Sequence, residues 1–141
     1  MTEVKGAKNA KKHKRMTRQK QLVYDILCGS DSHPTADWIY ARARVAMPGI
    51  SLGTVYRNLQ VLEAEGSIQE LNYGKTHSHF DGRAELHYHF ICEDCGSIFD
   101  LDDIVPLDFT CMEGKFPGVV RKHRMEIYGI CNVCLNKIKS K

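Results

Sequence analysis

What the chain lacks narrows it first. No apolar run approaches membrane-spanning length, so no transmembrane helix is expected. The Lys- and Arg-rich start is followed by no apolar stretch of the kind a secretory signal needs, and the expectation is a cytoplasmic chain whose thiols stay reduced. There is no H-E-x-x-H, no nucleophile elbow, no phosphate-binding loop and no dinucleotide fingerprint. A conventional enzyme acting on a small organic substrate is therefore not expected. A zinc hydrolase or deaminase stands as the distant alternative, since it needs only an open metal position beside a general base. No internal repeat is present, and low complexity is confined to the first residues.

Charge is present but unevenly spread. Net charge is +3, yet residues 1–20 hold eight Lys or Arg against Glu3 alone, so that this arm is +7 and everything after it sums to −4. A basic arm is attracted to polyanions, nucleic acid first among them, and a solvated tail is the plain alternative. A chain of 141 residues with 43% hydrophobic residues can form one domain or two small ones, and the pattern along it favours two.

The densest chemistry lies in His87-Tyr88-His89-Phe90-Ile91-Cys92-Glu93-Asp94-Cys95 and in a second pair, Cys131 and Cys134. Two Cys-x-x-Cys pairs can close a four-thiolate tetrahedron around zinc, because two intervening residues let the chain fold back on one centre. Redox dithiols or disulfides are the competing reading, and a reducing compartment argues against them. The 35 residues between Cys95 and Cys131 exceed the usual ribbon gap, which suggests a small inserted subdomain. On a strand of period two, His87, His89 and Ile91 share one face, which places two imidazoles to bind a second ion or simply to form a polar surface.

Upstream, three helical segments follow one another. Thr17 caps the first, with Leu22, Val23, Ile26 and Leu27 on its core face and Gly29 as its stop; Cys28 is placed on the inner side. Thr35 caps the second, with Trp38, Ile39 and Ala43 inward and Pro48-Gly49 at its end. Ser51 caps the third, residues 52–65, where Val55, Leu59 and Leu62 form the buried stripe and Gly66 the stop. Its opposite face presents Thr54, Tyr56, Arg57 and Gln60. With an extended segment at 67–73 and a turn at Gly74-Lys75, the arrangement resembles a winged helix-turn-helix. In that fold the third helix enters the major groove, Tyr56 and Arg57 lead the DNA contacts, and Lys75 and Arg15 lie over phosphates. An ordinary helical bundle with a polar outer face is the alternative. Residues 74–85 read as a hinge. After it come strands at 87–92 and 97–101, an irregular or helical stretch around 106–115, a strand at 119–130 and a short C-terminal helix beginning near Cys131.

Four motifs carry a family resemblance: His33-Pro34-Thr35-Ala36-Asp37; Ser51-Leu52-Gly53-Thr54-Val55-Tyr56-Arg57-Asn58-Leu59; His87-x-His89-x-x-Cys92-x-x-Cys95-Gly96; and Tyr128-Gly129-x-Cys131-x-x-Cys134. In this order and spacing, over about residues 16–135, they resemble the ferric uptake regulator (Fur) family. The resemblance implies an α+β chain: a basic flexible arm at 1–15, a winged helix-turn-helix DNA-binding domain at 16–82, and a small α/β dimerisation and metal-binding domain at 83–141 with a four-cysteine zinc site. It implies a homodimeric, metal-dependent transcriptional repressor on double-stranded DNA, with an AT-rich inverted repeat as the expected operator.

The resemblance also implies a regulatory Fe²⁺ or Mn²⁺ ion on His33, Asp81, His87, His89 and Asp100, and the oxygen share of that set disfavours zinc. An aspartate at position 100 is similar to the peroxide-sensing branch. There, iron and hydrogen peroxide convert coordinating histidines to 2-oxo-histidine, the matching positions being His33 and His87. An iron- or manganese-responsive regulator without peroxide sensing is the alternative, and Arg57, more usual in iron-responsive members, points that way. Arg18 stands where many members carry proline, and residues 104–115 form a poor helix where the family commonly has a longer one. Leu86 and Tyr88 occupy two positions of another family ion site, which is not expected here despite His123. His77 and His79 read as surface loop histidines, and Cys28 and Cys111 as small apolar residues.

Overall fold

The computed structural model describes residues 15–73, 77–103, 107–112, 114–121 and 123–141. The chain divides into two compact units, Met1–Ala84 and Glu85–Lys141.

In the first unit, each helix begins where a side chain can satisfy an open backbone amide. Thr17 Oγ1 accepts from Lys20 N at 3.2 Å to start α1 (Arg18–Cys28), and Thr35 Oγ1 from Trp38 N at 3.3 Å to start α2 (Ala36–Ala46). Ser51 Oγ accepts from Thr54 N at 3.1 Å to start α3 (Leu52–Ala64). The end of α2 follows from Pro48, which forces Met47 out of the helical region to φ −140°. The end of α3 uses Gly66 at φ +77°: Gly66 N donates to Glu63 O and Ser67 N to Leu62 O, both at 2.9 Å. That pair of bonds closes the last turn and needs a residue that tolerates the left-handed region.

Val23 and Leu27 of α1, Ile39 and Ala43 of α2, and Val55, Leu59 and Leu62 of α3 meet in one core, completed by Ile50, Ile68 and Phe80. Lys20 is buried on α1, and its Nζ lies 2.6 and 2.7 Å from the two carboxylate oxygens of Glu65, just past α3. This ties the first and third helices beside the apolar contacts. Cys28 is exposed rather than inward. It follows Leu27 by one residue, about 100° around the helix from the buried stripe, and its Sγ faces Gly82 O at 3.8 Å.

The wing is a two-stranded antiparallel sheet, β1 (Gln69–Leu71) against β2 (His79–Asp81), in register Gln69↔Asp81 and Leu71↔His79. Thr35 adds a bridge to His79, and Phe80 N donates to Pro34 O at 2.9 Å. The stretch 74–85 is thus no mere hinge, because it contains the second wing strand. Gly74 and Lys75, the expected turn, lie outside the described residues.

The second unit holds a three-stranded sheet of order β4-β3-β5. Central β3 (Tyr88–Cys92) runs antiparallel to β4 (Ile98–Leu101) and parallel to β5 (Glu126–Gly129). Among the described residues, one 3₁₀ turn, Thr110–Met112, interrupts the long connection to β5, and α4 (Asn132–Lys139) follows β5. The strand expected at 119–130 is only Glu126–Gly129, since β3 offers partners only from His89 to Cys92. Tyr88 is buried and fastens the connection: its hydroxyl accepts from Leu107 N at 2.7 Å and lies 2.9 Å from His123 Nε2. Gly129 passes so close to Phe90 that a Cβ there would sit 3.1 Å from the ring.

Candidate metal centres

The four cysteines are brought together by the parallel pair. Cys92 ends β3, Cys131 caps α4 just after β5, and the turn through Gly96 at φ +75° folds Cys95 back under Cys92. Cys92 Sγ lies 3.9 Å from Cys134 Sγ, and Cys95 Sγ lies 3.8 Å from Cys131 Sγ. A tetrahedron with metal–sulfur bonds of about 2.3 Å has edges of about 3.8 Å, so these spacings already fit zinc. Disulfide sulfurs would be about 2 Å apart. The backbone amides of Cys95 and Cys131 draw the Cys92 thiol down to about 6, favouring the ligating thiolate. Cys95 is also lowered, by the Ser97 hydroxyl 3.1 Å away and the Ser97 backbone, whereas burial pushes Cys134 up.

The histidine and aspartate candidates fall into two sets, one on each unit. In the first unit, His33 precedes α2 and Asp81 ends β2, and both are buried. Asp81 Oδ1 accepts from Arg83 N at 2.8 Å, while Oδ2 faces His33 Nε2 at 3.6 Å. In the second unit, His89 and Asp100 are direct partners across β3 and β4. Asp100 Oδ1 lies 3.1 Å from His87 Nε2 and 3.3 Å from His89 Nε2.

His87 Nδ1 sits 2.7 Å from Glu85 O, which can only accept, so Nδ1 carries the proton. That leaves His87 Nε2 and the Asp100 carboxylate oxygen, 3.1 Å apart, facing each other as two donor atoms that one cation can share. This arrangement of imidazole and carboxylate, with the other ring nitrogen held by a backbone carbonyl, is the usual way to orient a metal-binding histidine.

The DNA-contact candidates are placed less decisively. Tyr56, Arg57 and Gln60 are exposed on α3, and Arg15 is exposed before α1. Thr54 is half-buried, its hydroxyl 2.9 Å from that of Ser51. Lys75 lies outside the described residues. One contact was missed from sequence: His79, read as a surface loop histidine, is on β2 with its Nδ1 2.6 Å from His33 O. The available signal was His79-Phe80-Asp81, where alternation puts a histidine and an expected ligand on one face. Cys111 is exposed.

Fold and donor sets together define a winged-helix protein with a metal-binding second unit. Comparison with known proteins makes this specific. Residues 11–128 match the model of the ferric uptake regulator family, and the chain belongs to that family. It is 42% identical over 125 residues to the peroxide-responsive repressor PerR of Staphylococcus epidermidis, covering 85% of this chain and 81% of that protein. The peroxide-responsive repressor PerR of Staphylococcus aureus is 41% identical over 128 residues, covering 87% and 84%. Among solved structures, the Campylobacter jejuni peroxide stress regulator superposes with a TM-score of 0.67 at 30% identity, over 82% of this chain and 88% of that one. The Helicobacter pylori ferric uptake regulator gives 0.69 at 26% identity, over 86% and 82%. Among the described residues, no helix is long and apolar enough to cross a membrane.

Proposed function

We propose that the protein is a cytoplasmic, homodimeric, metal-dependent repressor that binds double-stranded DNA and leaves it when hydrogen peroxide oxidises its regulatory site. The observation that carries this is the Asp100 carboxylate facing the Nε2 atoms of both His87 and His89. Its likeness to peroxide-responsive repressors, at 42% and 41% identity, supports the same reading. Zinc takes Cys92, Cys95, Cys131 and Cys134, a set whose spacing fits it in advance. Three imidazoles and two carboxylates from His33, His87, His89, Asp81 and Asp100 suit Fe²⁺ or Mn²⁺. When bound, ferrous iron supplies the one-electron reduction of peroxide.

The protein's own part is orientation. Glu85 O holds the His87 ring by Nδ1, and Arg83 N holds Asp81 by Oδ1, so each presents one defined donor atom. Metal occupancy then biases DNA affinity as a shift between conformations. α3 presents Tyr56, Arg57 and Gln60 to the major groove, with Thr54 at its start, while Arg15 and Lys75 reach phosphates of an AT-rich inverted repeat. A second copy covers the exposed apolar side chains of the second unit, such as Val119, Val133 and Ile138.

Peptide mass spectrometry of the Fe²⁺-loaded protein after brief, stoichiometric peroxide tests the reading, with the Mn²⁺ form as control. One added oxygen on His33 or His87, with iron only, is the expected result. Unmodified histidines in a protein whose DNA binding iron still switches on would make it an iron- or manganese-responsive regulator instead.

A further inference from the structure

His33 is held in a costly conformation. Its φ of +51° is the only positive value at a non-glycine position among the described residues, and the region is disfavoured for any side chain with a Cβ. Pro34 follows it, and the residue before a proline is pushed towards extended backbone. Such strain persists only where neighbours over-determine it. The neighbours here come from β2. His79 and Asp81 alternate onto one face of that strand. His79 Nδ1 lies 2.6 Å from the His33 carbonyl oxygen, and Asp81 Oδ2 lies 3.6 Å from His33 Nε2. The bridge between Thr35 and His79, and the 2.9 Å bond from Phe80 N to Pro34 O, fix the next two residues against the same strand.

We infer that His79 is a positioning residue for the regulatory ion: by donating Nδ1–H to the His33 carbonyl it holds His33 in the left-handed conformation that aims its imidazole towards Asp81. The carbonyl can only accept, which sets the His79 tautomer. Without the donor, His33 relaxes towards extended backbone and its ring leaves the position facing Asp81. Ion affinity then falls while the four-cysteine site and the helices are untouched. The inference rests on the proposed function in taking His33 as a ligand.

The test compares His79→Leu and His79→Asn, which have nearly the same shape and differ in whether the side chain offers an N–H close to where Nδ1 sits. Mn²⁺ binding is titrated on the zinc-loaded full-length protein, with zinc content and thermal midpoint measured alongside and His89→Ala as reference. His79→Leu is expected to bind Mn²⁺ about tenfold more weakly, as loss of one well-placed hydrogen bond implies. His79→Asn is expected within about threefold of the wild type, and both variants should keep full zinc. Leu binding as tightly as wild type would overturn the inference. So would Asn binding as weakly as Leu, which would make His79 itself a ligand through Nε2. Wild-type Mn²⁺ binding by His89→Ala would instead overturn the regulatory site as proposed, and would be recognised separately.

Discussion

Stripping zinc from the reduced protein is expected to unfold the second unit and leave the first folded. Among the described residues, the buried apolar side chains of the second unit other than cysteine are Tyr88, Ile91 and Ile98. At about 1.5–3 kcal/mol each, their burial amounts to about 5–9 kcal/mol. Zinc bound by four thiolates is worth about 10–16 kcal/mol, more than all three together. The first unit draws on a core of Val23, Leu27, Ile39, Val55, Leu59, Leu62 and their neighbours, which owes nothing to a metal. The assay is amide hydrogen exchange by mass spectrometry before and after chelation, with zinc content checked on the same sample. Peptides from β3, β4, β5 and α4 should lose protection by orders of magnitude, while those from α1, α2 and α3 change little. A zinc-free protein whose β3 and β5 amides stay protected would refute the reasoning, as would loss of all protection in one step.

The remaining predictions concern acid, an ion pair and a glycine. Cys92 is lowered to about 6 in the folded chain, so the stability its thiolate contributes is full above the unfolded value and is lost as pH falls from there through about 6. Because burial raises the Cys134 thiol, zinc must displace its proton even near neutrality, so zinc affinity followed with a metal indicator should fall as pH drops from about 8 and fall more steeply below about 6, where Cys92 also holds a proton. Glu65→Ala removes the carboxylate whose two oxygens face the buried Lys20 ammonium; with Glu65 19% exposed, the cost is set at about 2–3 kcal/mol. Urea unfolding should show that loss, and Lys20→Met with Glu65→Leu should recover most of it. Gly82→Ala puts a Cβ 3.0 Å from Cys28 Sγ and 3.1 Å from Cys28 Cα. Because the backbone atom cannot swing aside, a melting point several degrees lower is expected, and Cys28→Ala should not restore it.

Sequence disclosed what is local. The three caps Thr17, Thr35 and Ser51 lie where they were expected, because a cap needs only a side chain and an amide a few residues on. The cysteine pairs were legible for the same reason, their spacing being a property of short loops. What escaped depends on distant pairing. β2 is three residues long and begins with a histidine, and it exists through β1 and the bridge to Thr35. β5 was drawn too long because its length is set by what β3 offers across the sheet. Cys28 was turned inward although the stripe at Val23 and Leu27 leaves it at the edge. The positive φ of His33 has no signature in its own neighbours, where Pro34 argues for the opposite.

The parallel pairing of β3 with β5 has a consequence for how the chain can vary. An antiparallel pair keeps its alignment through the short turn that joins it, so length changes in that turn disturb the strands. Here both strands run out at the same end, at Cys92 and Gly129, and the cysteines sit at that end. Zinc closes it as a cross-link that the chain's own connectivity lacks. The alignment of the two strands is thus anchored opposite to the long connection, and lengthening that connection adds only a slowly growing closure entropy. Insertions and deletions between β4 and β5 can then accumulate without shifting His89 from Asp100, so the pairing proposed to hold the regulatory ion is insulated from the length of that connection.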